Sequence, residues 1–140
     1  MTSQEVTQGK FFAPIGNAQI SVVDIRDIAM VAAAALVEDG HQGKIYNLTG
    51  PEALTHRDMA QKLADALDRP IEFVNIPPQA MREAMVAIGF PEWQADGTIE
   101  DYAHYARGEA AEVASGVYDA TGNQPRSFEL FAHDYAAAFS

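Results

Sequence analysis

The run IAMVAAAALV, residues 28–37, holds ten apolar side chains and no polar one. It is too short to span a bilayer, which takes about 20 residues. Its alanine content favours helix. A helix without a polar face must be covered on every side. Ala29, Ala32, Ala33, Ala34 and Ala35 permit close approach, while Ile28, Met30, Val31, Leu36 and Val37 fall on more than one side. Such a helix suits a layer with protein on both faces. The 140 residues make one domain with a modest core. Three short strand-like segments offer it little sheet. One of them, KIYNLTG (44–50), would leave a naked edge, and proteins usually cover such edges. The expectation is a piece of α/β architecture in which a second copy supplies the missing cover. In that homodimer the Ala-rich helix or the strand at 44–49 meets its mate, with exchange of elements as one route.

Along the chain, residues 1–10 read as polar and loose, and FFAPIGN ends in a turn. QISVVDI (19–25) reads as a strand, and Asp27 as the N-cap of a helix over 27–38. Thr55 caps a helix to Leu67, with Asp58 completing a capping box. Its apolar stripe is Met59, Ala60, Leu63, Ala64 and Leu67. PIEFVNIP is a third strand. Met81, Ala84, Met85 and Ile88 form one face of a short helix ended by Phe90-Pro91. Thr98 caps a longer helix with Ile99, Tyr102, Ala103, Ala106, Ala110 and Val113 inward. A short helix spans Val117 to Thr121. Ser127 caps the last, whose aromatic stripe is Phe128, Phe131, Tyr135 and Phe139. Strands alternating with predominant helices give an α/β class in one domain, residues 1–140.

Twenty acids against nine bases give a net charge of −11. No basic patch for nucleic acid or an anionic membrane can form from so few cations. Without cysteine, disulfide, thiolate and zinc–thiolate chemistry are excluded, and a cytoplasmic setting is expected. Four histidines are scattered. Glu100/His104 and Glu129/His133 are spaced one helical turn apart, but neither pair has a third ligand, so no metal site is expected. No serine sits in a nucleophile elbow. Asp24, Arg26 and Asp27 form the tightest charged cluster, which reads as capping plus a structural ion pair rather than as catalysis.

In their order, the segments ISVVDIRDIAMVAAAAL, GHQGKIYNLTGPEALTHRDMAQKLADALDRPIEFVNIP, GFPEW and TGNQPRSFELFAHDYAAAF resemble the C-terminal half of the NmrA-like family, the atypical short-chain dehydrogenase/reductases. The resemblance runs from about Phe11 to Phe139, and DIRDIA and YNLTGPEALT are its specific parts. It implies a partial Rossmann-like fold. Asp68 stands where the family commonly has glycine, a change confined to a helix end.

The family's glycine-rich fingerprint is absent from these residues. No three of the ten glycines have its spacing, and none of the five tyrosines is followed four residues on by lysine. Phosphate binding needs backbone amides at a Gly-rich turn feeding a helix. The expectation is therefore a small-molecule-binding or regulatory module with no cofactor site of its own. The alternative is an enzyme. It would work without a cofactor, through Asp24, His56, His104 or Tyr102, or through NAD(P)H once a separate N-terminal half completes it. The candidate ligand residues are Met81, Met85, Phe90, Trp93 and Tyr102. Methionine adapts its shape and aromatic rings give flat contact area. The resemblance implies that this helical part closes over a small apolar or quinone-like substrate. The plainer reading makes the same residues the core of a small helical lobe.

Overall fold

Residues 8–139 are described by a computed structural model of the chain. The expected loose segment falls mostly on residues 1–7, outside the described part, whereas Lys10 already belongs to a strand. Strand β1 (Lys10–Ala13) pairs in parallel with β4 (Glu72–Asn75), Lys10 opposite Glu72 and Ala13 opposite Asn75. Strands β2 (Gln19–Ile20) and β3 (Leu54–Thr55) form a short antiparallel pair. The helices are α1 (Ile25–Val37), α2 (His56–Leu67), α3 (Pro78–Ala87), α4 (Glu92–Ala106), α5 (Gly116–Thr121) and α6 (Phe128–Asp134). The fold is α/β with few short strands and predominant helices, as the sequence indicates. Among the described residues no helix is long and apolar enough to cross a membrane.

The main core joins β1 and β4 to α2 and α6. Phe11, Met59, Leu63, Phe73, Phe128 and Ala132 are its buried centre. Each such large side chain contributes roughly 1.5–3 kcal/mol by leaving water. The expected stripe of α2 faces this core. Its capping box is present, Thr55 Oγ1 accepting from the Asp58 amide at 3.1 Å and the Asp58 carboxylate accepting from the Thr55 amide at 2.9 Å. Helix α2 ends on Asp68 with φ 50°, a left-handed cap where glycine is the unstrained choice. The aromatic stripe also forms along α6 and its C-cap, with the Phe131 ring tilted against Phe128 at 5.6 Å and against Tyr135 at 5.1 Å between centres.

Several expectations are corrected. Helix α1 is capped by Asp24, not Asp27. The Asp24 carboxylate accepts the Arg26 amide at 2.8 Å, while Asp27 is turned inward and fully buried. Residues 21–24 and 44–50 run without strand pairing among the described residues, so QISVVDI keeps only two strand positions. Helix α4 begins after Pro91. Thr98 lies in mid-helix with its hydroxyl donating to the Gln94 carbonyl at 2.9 Å, the usual fate of an interior threonine. Ala103, Ala106 and Val113 are exposed rather than inward, and Ala110 and Val113 lie beyond the helix end.

The opening puzzle has a physical answer. Only Asp27, Val31 and Ala34 of α1 are buried, packed toward α5 through Val117 and Ala120. Leu36 and Val37 remain 85 % and 81 % exposed, and Ile45 on the unpaired segment 97 %. The described residues do not cover the apolar helix. Two glycines hold the unpaired segments together. A Cβ on Gly50 would stand 2.1 Å from the Val22 carbonyl oxygen, and one on Gly116 would stand 2.1 Å from that of Asn47. Thr49 ties in the same place, accepting the Ala114 amide at 2.9 Å.

Candidate functional site

In open α/β folds, ligands bind beyond the carboxyl ends of parallel strands. Here those ends are Ala13 and Asn75. The Asn75 side-chain oxygen accepts the amides of Ile15 at 3.1 Å and Gly16 at 2.7 Å, fixing the turn that leaves β1. An open hollow of about 520 Å³ follows, lined by Pro14, Ile15, Gly16, Asn75, Pro77 and Ala106, among others. Pro77 and Pro78 preset the start of α3, since proline fixes φ and the first helical turn needs no amide donor. Helix α3 ends at a turn through Gly89 (φ +100°), where the Phe90 amide reaches back to the Met85 carbonyl at 3.1 Å. Helix α4 then packs on α3.

Of the five candidate ligand residues, Met81 and Met85 lie on α3, Trp93 and Tyr102 on α4, and Phe90 in the turn between them. Met85 is buried, Met81 and Tyr102 are half-buried, Phe90 is partly exposed and Trp93 is 75 % exposed. None of the five lines the hollow at the strand ends. The Tyr102 ring sits 6.2 Å from His56 and 5.9 Å from Tyr105, joining it to the main core. Sequence reasoning did not find Asn75. Its signal was an amide side chain at a strand end, directly before Ile-Pro-Pro.

The acid/base candidates do not converge. His56 opens α2, wedged between Phe11 and Phe73, and its Nδ1 lacks a partner among the described residues. Burial pushes its imidazole down to about 4, so it is neutral near neutral pH. His104 is exposed and bonds Glu109 at 2.5 Å rather than Glu100. Its partner Glu109, also held by Arg107, is kept below the usual carboxylate range. Asp24 is held below that range by the Arg26 guanidinium, which also reaches Asp134 at 2.6 Å and lies 5.1 Å from the Tyr135 ring centre. Asp27 accepts the Arg126 amide at 2.7 Å and pairs with its guanidinium. Asp24 and Arg26 thus supply the cap and ion pair the sequence suggests, while Asp27 pairs outside the cluster, with Arg126.

On either side of the extended segment at Val22 and Val23 lie two further hollows. One, of about 260 Å³, is apolar, with Ile25, Phe128 and Phe131 in its walls. The other, of about 330 Å³, adds Ser21, Asn47, Thr49, Tyr105 and Glu109. Among the described residues no three His, Asp or Glu side chains gather to hold a metal. A dinucleotide pyrophosphate needs a Gly-rich loop feeding a helix. The left-handed glycines here, such as Gly16, Gly40, Gly89 and Gly108, serve isolated turns. The described residues do not fit that role.

No family model matches the chain. It is 39% identical over 132 residues to an NAD(P)H azoreductase of Xenophilus azovorans, covering 94% of this chain and 46% of that protein. It is 35% identical over 125 residues to a (4-alkanoyl-5-oxo-2,5-dihydrofuran-3-yl)methyl phosphate reductase of Streptomyces griseus, covering 89% of this chain and 44% of that one. An NADPH-dependent quinone oxidoreductase of Escherichia coli superposes with a TM-score of 0.83 at 22% identity, over 98% of this chain and 49% of its own. Triphenylmethane reductase of Citrobacter sp., complexed with NADP(H), gives 0.79 at 23% identity, over 94% and 46%. At such identities these two structures speak for the fold alone. The chain spans less than half the length of these relatives.

Proposed function

Because the chain belongs to the NmrA-like family of NAD(P)H-dependent reductase relatives, we propose that it forms the acceptor-binding half of a reductase for flat quinone- or azo-type molecules. The observation that carries this reading is the 39% identity to an azoreductase across 94% of the chain. Reduced nicotinamide would supply the hydride, and among the described residues no Gly-rich loop feeds a helix to cradle a dinucleotide. Their own part is to bind the acceptor, orient it and exclude water. The acceptor is assigned to the α3–α4 pair, with Met81, Met85, Phe90, Trp93 and Tyr102 as its contacts. The pair reaches the hollow beyond β1 and β4 through Pro78 and Ala106, though none of the five lines it.

Trp93 is the only tryptophan, so its emission reports on this region alone. A neutral naphthoquinone should quench it saturably after inner-filter correction. NADPH alone should give no saturable binding by calorimetry. NADPH oxidation should require an added Gly-rich dinucleotide-binding unit. Unchanged Trp93 emission across a panel of quinones overturns the acceptor assignment, and one NADPH bound per chain overturns the division of labour.

A second reading, a binding module that turns nothing over, is favoured by the missing Gly-rich turn and Tyr–Lys pair in these residues. Under either reading a second copy is the partner assigned to the apolar face of α1. Light scattering tests it: a monomer mass at micromolar concentration removes the dimer.

A further inference from the structure

We propose that the hollow beyond β1 and β4 binds a neutral flat ring through a carbonyl oxygen, with the side-chain amide of Asn75 as the hydrogen-bond donor. This site goes beyond the acceptor-binding reading, since none of the five contacts assigned there lines the hollow. Trp93 and Ala106 stand near opposite ends of α4, roughly 20 Å apart at about 1.5 Å per residue. A bicyclic ring seated against Ala106 therefore does not lie against Trp93.

The volume, about 520 Å³, suits a small molecule. The walls are apolar: Pro14 and Ile15, both buried, with Ile76, Pro77, Pro78 and Ala106. Among the described residues no charged side chain lines the hollow, so an ionised ligand finds no counter-charge there. Asn75 is the one polar side chain in the wall. Its orientation is fixed by its neighbours. The Ile15 and Gly16 amides both donate to Oδ1, at 3.1 and 2.7 Å. Nδ2 therefore faces the other way, with two N–H donors. Neither meets an acceptor among the described residues. Holding the turn does not by itself call for asparagine. An aspartate would accept the same two amides more strongly, because charge-assisted bonds are the shorter and stronger ones. What asparagine adds at this position is the donor, and what it withholds is a negative charge. A carbonyl on an otherwise apolar ring matches both features. Its oxygen meets Nδ2 while the ring lies against the prolines, and a donor already held in place costs little further ordering.

The test is calorimetry on the intact chain with three flat probes. Chromone is neutral and carries a carbonyl, naphthalene has a similar outline without one, and chromone-2-carboxylate adds a charge. Chromone should bind at one site per chain, roughly tenfold more tightly than naphthalene. The carboxylate should not bind measurably. Asn75→Asp keeps an acceptor for both amides and removes the donor, so it should lower the chromone affinity to that of naphthalene, with circular dichroism and melting confirming the fold. Ala106→Phe, at an exposed helix end, sets a ring over the hollow and should block chromone and naphthalene alike. Chromone bound at full affinity by either folded variant overturns the proposal. So does naphthalene bound as tightly as chromone, or binding of neither. Loss of chromone binding in Trp93→Phe, with full binding in Asn75→Asp, overturns this site and leaves the acceptor reading standing. Loss in Asn75→Asp, with Trp93 emission unmoved by quinones, supports this site and sinks that reading.

Discussion

Replacing Asp27 by alanine should be among the most damaging single changes outside the hydrophobic core. The carboxylate is fully buried and accepts both the backbone amide and the guanidinium of Arg126. Removing it leaves a partly buried amide without its acceptor, at about 1–3 kcal/mol, and deletes a charge-assisted bond of about 1.5–3 kcal/mol. Relief from desolvating the carboxylate offsets part of that sum. The net expectation is about 3 kcal/mol, the lower end for breaking a buried pair. Asp27→Asn keeps an oxygen for the amide and should cost about 1–2 kcal/mol. Urea unfolding near neutral pH, followed by far-UV circular dichroism, reads both. Added salt should change the difference little, because buried pairs are weakly screened. A loss below about 1 kcal/mol for Asp27→Ala would show that this pair does not anchor α1 to the segment before α6.

Other outcomes follow from local geometry. Gly116→Ala drives a Cβ into the Asn47 carbonyl and should destabilise by roughly 3 kcal/mol or more, read as a lost or broadened thermal transition. Asp68→Gly relieves the left-handed cap of α2 and should raise stability by about 1 kcal/mol in the same urea assay. His56 titrates near 6.5 when unfolded and near 4 when folded. Between those values the unfolded chain binds more protons, so stability is fully present above the upper one. It falls as pH drops toward the lower one, by up to about 1.4 kcal/mol per pH unit. His56→Phe should flatten that part of the profile, and an unchanged slope would mean that other groups set it.

What the sequence made legible was local. The capping box at Thr55 and Asp58 and the aromatic stripe of α6 each need only neighbours within a turn or two, so periodicity and capping rules found them. The start of α1 was misplaced because Asp24 and Asp27 are equally good caps by local rules. Arg126, far along the chain, decides between them by drawing Asp27 inward. Thr98 likewise lost to Pro91, whose ring is compatible with a helix start while a mid-helix threonine can bond back to its own helix. KIYNLTG has the composition of a strand but meets no ladder partner among the described residues. The methionines and aromatic rings of residues 81–102 marked a helical region, which α3 and α4 bear out; their part as acceptor contacts is a proposal. Asn75 was not legible, because its role depends on a turn that β1 brings to it from the other end of the ladder.

The parallel pairing of β1 with β4 also bears on how the chain reaches this fold. Helix α2 and β4 are consecutive, and their contacts form at short loop-closure cost. Strand β1 must find its register, Lys10 opposite Glu72, across all of α1 and α2. Non-local ladders of this kind slow folding. The expected order is an early α2–β4 unit, then α6 packing on α2, with β1 joining late. Until it does, one edge of β4 stays open and Phe73 lacks its Phe11 neighbour, 5.5 Å away in the finished core. The interval before β1 docks is therefore when this chain is most exposed to pairing with another copy of itself.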